Sequence, residues 1–205
     1  TFDRDTALVH EDRMFMSWEH PMVTGGLDFL LGSERGNAAL SVCKLAGVKT
    51  GEIMLEVIYN VECVAPSHLQ VNRFLPPSVM RLLINGRDED LSHKHSVEQL
   101  QGLPVDLGKQ TIVQIITSQQ DKLRQMLSQA EHLAEQQLPS LVMSAIDSME
   151  NELGQDMQRL SALQQVNPNV RQEEIDAVQQ QQRQLKQYMQ SARLHQDAIR
   201  LIITA

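Results

Sequence analysis

Residues 52–65, E-I-M-L-E-V-I-Y-N-V-E-C-V-A, constrain this chain more than any other stretch. The odd positions are Ile53, Leu55, Val57, Tyr59, Val61, Cys63 and Ala65, and none is charged. The even positions mix Glu52, Glu56, Asn60 and Glu62 with Met54 and Ile58. A period of two with β-branched residues predicts a strand packed on one face and partly wet on the other. Gly51 and Pro66 punctuate its ends. At about 3.3 Å per residue the strand would run roughly 45 Å, long enough that a bend or bulge is expected inside it.

The segments upstream read as elements that pair with or cover this strand. Thr6 to His10 is a strand candidate, and Pro21 opens a short helix to Leu31 because its missing N–H would be unsatisfied there anyway. Asn37 to Lys44 reads as a second strand, and the turn at 46–51 makes a hairpin with the long one. Downstream, Ser67 to Pro77 reads as extended and Val79 to Ile84 as a strand closed by Asn85-Gly86.

From Lys109 the period changes. Ile112, Ile116, Gln119, Leu123, Met126, Ala130 and Leu133 step by four and three, and Leu138, Val142, Ala145, Met149, Leu153, Met157 and Leu160 continue the seam. Pro139 predicts a kink or break near 136–139. Residues 166–169, V-N-P-N, form a stop, with Asn169 placed to cap a last helix. That helix keeps its repeat through Ile175, Val178, Leu185, Met189, Ala192 and Ile199. Two helices joined so tightly form an antiparallel hairpin, pairing Met149 with Leu185, Ile146 with Met189 and Val142 with Ala192. The apolar end, Ala198 to Ile203, should be buried against the sheet and tie the C-terminus back.

The expected fold is therefore α+β: an N-terminal antiparallel sheet with a short helix over residues 1–107, then a long helical hairpin over 108–205. Opening on Thr1 rather than Met suggests a piece of a longer protein. No apolar run approaches the ~20 residues that cross a bilayer, so no membrane partner is expected. Cys43 and Cys63 each sit in an apolar run, which suits buried thiols in a reducing cytoplasm. The 205 residues carry a formal net charge of -8, with 9 Lys/Arg against 15 Asp/Glu in the first 107 and 9 against 11 after. Neither half has the basic excess that autonomous nucleic-acid binding draws on. The 21 glutamines beyond residue 107 read as a neutral solvated surface.

A reactive constellation is not found. There is no G-x-x-x-x-G-K-[ST], no G-x-S-x-G, no H-E-x-x-H and no C-x-x-C. His93 and His95 lack further ligands at metal spacing, Glu19-His20 reads as a helix-capping pair, and Cys63 points inward with the apolar face. Catalytic, cofactor and metal residues are thus expected to be absent. One charge feature remains: between Glu62 and Asp88 there is no acid, while Arg73, Arg81 and Arg87 occur there. These three are candidates for contact with a phosphate or an acidic partner. The competing reading pairs them with Glu52, Glu56 and Glu62.

Four stretches taken in order carry a resemblance: 18–21, W-E-H-P; 70–77, Q-V-N-R-F-L-P-P; 166–171, V-N-P-N-V-R; and 197–202, D-A-I-R-L-I. Together they resemble the C-terminal region of the RNA polymerase-associated ATPases of the Swi/Snf helicase-like family. The resemblance implies a cytoplasmic, DNA-binding parent that hydrolyses ATP with Mg and associates with the RNA polymerase core in transcription and polymerase recycling. None of that family's ATPase motifs maps here, so this chain is expected to be a non-catalytic, cofactor-free module contacting other domains of the same ATPase. The alternative is a free-standing adaptor or structural protein built on the coiled hairpin.

Overall fold

The computed structural model describes every residue except 11, 33–36, 46, 101–108 and 168. The described chain divides into two compact units, Thr1–Ala39 and Leu40–Ala205. The domain boundary expected near 107 falls outside the described residues.

The first unit holds two helices, α1 (Arg4–Val9) and α2 (Pro21–Gly32). α1 occupies the segment expected as a strand. Asp3 decides it: its carboxylate accepts from the Asp5 N–H (3.0 Å) and the Thr6 hydroxyl, closing the first turn. α2 starts at Pro21 as expected, and His20 Nδ1 accepts from the Met22 N–H at 3.1 Å. His20 thus has a local capping role.

The second unit is built on a four-stranded sheet of β1 (Ala38–Cys43), β2 (Ile53–Glu62), β3 (Ser78–Asn85) and β4 (Arg193–Thr204), in the order β1-β4-β2-β3. β2 pairs antiparallel with β3, from Met54–Asn85 to Val61–Ser78, and antiparallel with β4, from Ile53–Ile203 to Glu62–Arg193. The long strand is central, and the expected bulge is present: its register with β4 shifts between Ile58 and Tyr59.

β4 corrects two expectations. Its residues continue the helix only on paper, since the helix of the hairpin stops at Gln190. It also separates β1 from β2, so the turn at 46–51 does not close a hairpin. The physical reason lies in the composition of 198–203, A-I-R-L-I-I. An interior strand covered on both faces reads as a continuous apolar run, which periodicity alone does not separate from a buried helix end. Leu201 and Ile202 face opposite sides of the sheet and are both buried. The anticipated tie of the C-terminus to the sheet holds, made by a ladder instead of a helix face.

The helical part consists of α3 (Lys109–Ser118), α4 (Gln120–Val166) and α5 (Gln172–Gln190). The interruption comes at Gln119 (φ -112°, ψ 12°), and the 47 residues of α4 pass through Pro139 unbroken, against the expected break. Leu138, one residue before the proline, packs against the apolar clusters on both sides of it, and this packing outweighs the lost backbone hydrogen bond. The turn between α4 and α5 falls where expected, but Asn169 does not cap α5. The cap residue is Arg171, whose N–H donates to the Glu174 carboxylate (3.4 Å).

Three apolar clusters result. The first half of α4, through Met126, Ala130 and Ala134, covers the β2 face formed by Leu55, Val57, Tyr59 and Val61. The second half, through Val142, Ile146, Met149 and Leu153, packs on Leu185 and Met189 of α5. Lys186 Nζ reaches Glu150 Oε1 at 2.7 Å along the same antiparallel register. Segment 67–77, expected to be extended, instead forms two 3-10 turns about Gln70 (φ 50°, ψ 45°), placing Leu69, Val71 and Leu75 against this helix pair. The third cluster, Cys43, Met54, Leu83, Leu91, Leu100 and Ile202, covers the sheet face expected to be partly wet.

Leu185 is 0% exposed at the centre of the α4–α5 packing. Its replacement by Ala is expected to cost about 2–5 kcal/mol in denaturant unfolding. A loss below roughly 0.5 kcal/mol would contradict the packing.

Candidate functional site

The three arginines separate in the structure. Arg81 points from β3 onto the second face of the sheet, where Glu56 of β2 is only 5% exposed. Arg81 Nε meets Glu56 Oε1 at 2.6 Å, and Arg200 Nε of β4 meets Oε2 at 2.7 Å. One carboxylate thus bridges three neighbouring strands. Arg81 Nη1 donates further to the carbonyls of His95 (2.9 Å) and Ser92 (3.2 Å), and Arg200 Nη1 to that of Leu100 (3.4 Å). A buried charge is tolerated only when paired and hydrogen-bonded, and Glu56 is both. Its clamp also pins segment 92–100 onto the sheet. Arg81 is therefore committed to the fold.

Arg73 sits on the second 3-10 turn, pairs with Glu152 of α4, and stacks over the Phe74 ring at 5.2 Å from its centroid. Both partners of the ion pair are about half exposed. Of the acids Glu52, Glu56 and Glu62 set against the three arginines, Glu56 pairs with Arg81; Glu152, the partner of Arg73, lies on an element distant in sequence.

Arg87 behaves differently. It follows Asn85-Gly86 at the end of β3, where Asn85 Oδ1 accepts from the Arg87 and Glu89 N–H groups (2.9 and 3.0 Å) and shapes the turn. The residue lines an open cleft of about 290 Å³ with Lys49, Thr50, Gly51, Glu52, Ile53, Gly86 and Lys122. Lys49 comes from the loop before β2 and Lys122 from the first turn of α4. Thr204, 2% exposed at the end of β4, holds the loop: its hydroxyl donates to the Lys49 carbonyl and accepts from the Glu52 N–H at 2.9 Å. The end of the Lys122 side chain lies over Gly86, and a Cβ there would push that flexible end aside. Sequence reasoning missed Lys49 and Lys122, which are 38 and 35 residues from Arg87 and join it only through the sheet and α4.

Elsewhere the reactive side chains are turned to packing. The Cys63 thiol donates to the Tyr188 carbonyl at 3.2 Å, and burial pushes the Cys43 and Cys63 thiols up, away from the thiolate form. Both cysteines are free. Tyr59 is pushed up to about 12 by burial, with the carboxylates of Glu131 and Glu135 adding to the shift. Among the described residues no group of three or more His, Cys, Asp or Glu is placed to hold a metal ion, and no helix is long and apolar enough to cross a membrane.

The profile of the RNA polymerase recycling family, C-terminal region, matches residues 1–204. The chain belongs to this family. Its relatives include the RNA polymerase-associated protein RapA of Pectobacterium carotovorum subsp. carotovorum (strain PC1), 37% identical over 203 residues. RapA of Sodalis glossinidius (strain morsitans) is 38% identical over 203 residues, and RapA of Vibrio campbellii (strain ATCC BAA-1116) 35% over 205. These alignments take in 99 to 100% of this chain but 21% of each relative. The chain thus spans about a fifth of the length of the RapA proteins it matches. The resemblance carried by the four short motifs extends through the sheet and both long helices.

For this family member the Glu56 clamp makes a direct expectation. Glu56→Ala leaves two largely buried guanidinium groups uncompensated and should cost about 3–5 kcal/mol in equilibrium unfolding. Glu152→Ala, at the half-exposed Arg73 pair, should cost under about 1 kcal/mol. Equal effects of the two would contradict the assignment of Arg81 to the core.

Proposed function

We propose that this chain works as the non-catalytic C-terminal module of an RNA polymerase-associated, Swi/Snf-type ATPase acting in transcription and polymerase recycling. The family match over residues 1–204, against relatives named RNA polymerase-associated protein RapA, carries this reading. ATP and Mg would be handled by the remainder of the parent, a cytoplasmic, helicase-like DNA-binding protein. The module's partners are then the other domains of that ATPase and, through the parent, the RNA polymerase core. Nothing in its own chemistry requires a membrane or an autonomous grip on nucleic acid.

The physical support lies in how the charged and nucleophilic groups are used. Glu56, Arg81 and Arg200 are consumed in holding three strands together, and Cys63 is turned onto a helix-end carbonyl. The long α4 is bound to the sheet at one end and to α5 at the other, a geometry that resists bending and suits a brace. The decisive assay is phosphate release from ATP and Mg by the purified chain beside the full-length parent. Turnover is expected only for the parent; activity that co-purifies with this chain would overturn the reading.

A further inference from the structure

Arg87, Lys49 and Lys122 line the cleft of about 290 Å³ at the end of the sheet where β2 begins and β3 ends. We infer that this cleft binds a phosphate group, with the three cations as its donors, independently of any role in polymerase association. Among the described residues, none of the three has a carboxylate at ion-pair distance, whereas Arg73, Arg81, Arg159, Lys186 and Arg200 all do. Asp88, next to Arg87 in sequence, instead accepts from Gln125 Nε2 of α4. Glu52 is the one carboxylate in the lining, so the cleft keeps an excess of positive charge in a chain of net charge -8.

The backbone that carries Lys49 and Arg87 is held in place. Thr204 fastens the loop of Lys49, the Asn85 side chain fixes the turn of Arg87, and bare Gly86 lets Lys122 lie across that turn. A lining with one arginine and two lysines fits a multiply charged oxyanion, to which Arg offers paired N–H donors and Lys point charges. A single carboxylate ligand would leave most of this charge unanswered. The phosphate has two possible sources of the same chemistry, a free polyphosphate and a nucleic-acid backbone. The first is favoured because the chain as a whole carries a net charge of -8, which repels a long polyanion.

The test titrates the 205-residue chain with inorganic pyrophosphate, up to about 10 mM, and separately with a short single-stranded oligonucleotide, following backbone amide resonances. Saturable shifts at residues 49–52 and 86–87 are expected with pyrophosphate. Lys122→Gln and Arg87→Gln should each weaken binding by about tenfold or more, with thermal unfolding unchanged. Glu52→Gln should tighten it by about threefold, while Glu131→Gln, the same charge change far from the cleft, should not. Shifts with the oligonucleotide alone, lost in the same variants, would assign the phosphate to a nucleic-acid backbone. The inference is overturned if neither probe moves these amides, or if the glutamine variants bind as the parent chain does.

Discussion

The ladder between β2 and β4 is the contact on which the rest of the second unit depends. It joins residues 53–62 to 193–203, so the two ends of a helical excursion of more than a hundred residues are fastened by backbone hydrogen bonds in the interior of the sheet. Two-sided burial follows from this placement. Leu55, Val57 and Tyr59 face α4, while Met54 and Glu56 face the loop at 89–100. The Glu56 clamp can form only because β4 delivers Arg200 opposite Glu56 while β3 delivers Arg81 on the other side. Thr204, at the end of the same strand, then sets the loop that carries Lys49. Core, clamp and cleft are three consequences of a single strand insertion.

Much of this was legible in the residues. The period of two from 53 to 62, the length-driven bulge, the helix opened by Pro21 and the hairpin seam all correspond to local patterns with one physical solution. The pairing of Met149, Ile146 and Val142 with Leu185, Met189 and Ala192 follows from a tight turn and a constant rise per residue, and these six side chains share one cluster. What was not legible has a common cause. β4 and segment 67–77 take their conformation from partners distant in sequence: an apolar run reads alike as helix end or interior strand, and the burial of Leu69 and Val71 depends on helices 70 or more residues away. α1 shows the opposite case, in which a single Asp3 cap overrides the strand preference of the residues after it. Pro139 shows packing on both flanks prevailing over a local breaker.

The candidate site divides in the same way. A stretch without acids drew attention to Arg73, Arg81 and Arg87, but sequence gave no means of ranking them. Burial does: Arg81 is bound to a buried carboxylate and Arg73 to Glu152, whereas Arg87 faces an open cleft with two lysines that only the tertiary structure supplies. Charge counted along the chain is a poor guide to charge in space. The acidic total of -8 conceals a local cluster of cations where two loops and a helix end meet.

The placement of β4 is tested most directly by native-state hydrogen exchange. The account requires the amides of residues 199–203 to exchange as slowly as those of 55–59 in β2, both through global unfolding of the second unit. Rapid exchange of 199–203 beside a protected β2 would contradict it, since the C-terminal segment would then be an appendage and the helical excursion would be fastened at one end only.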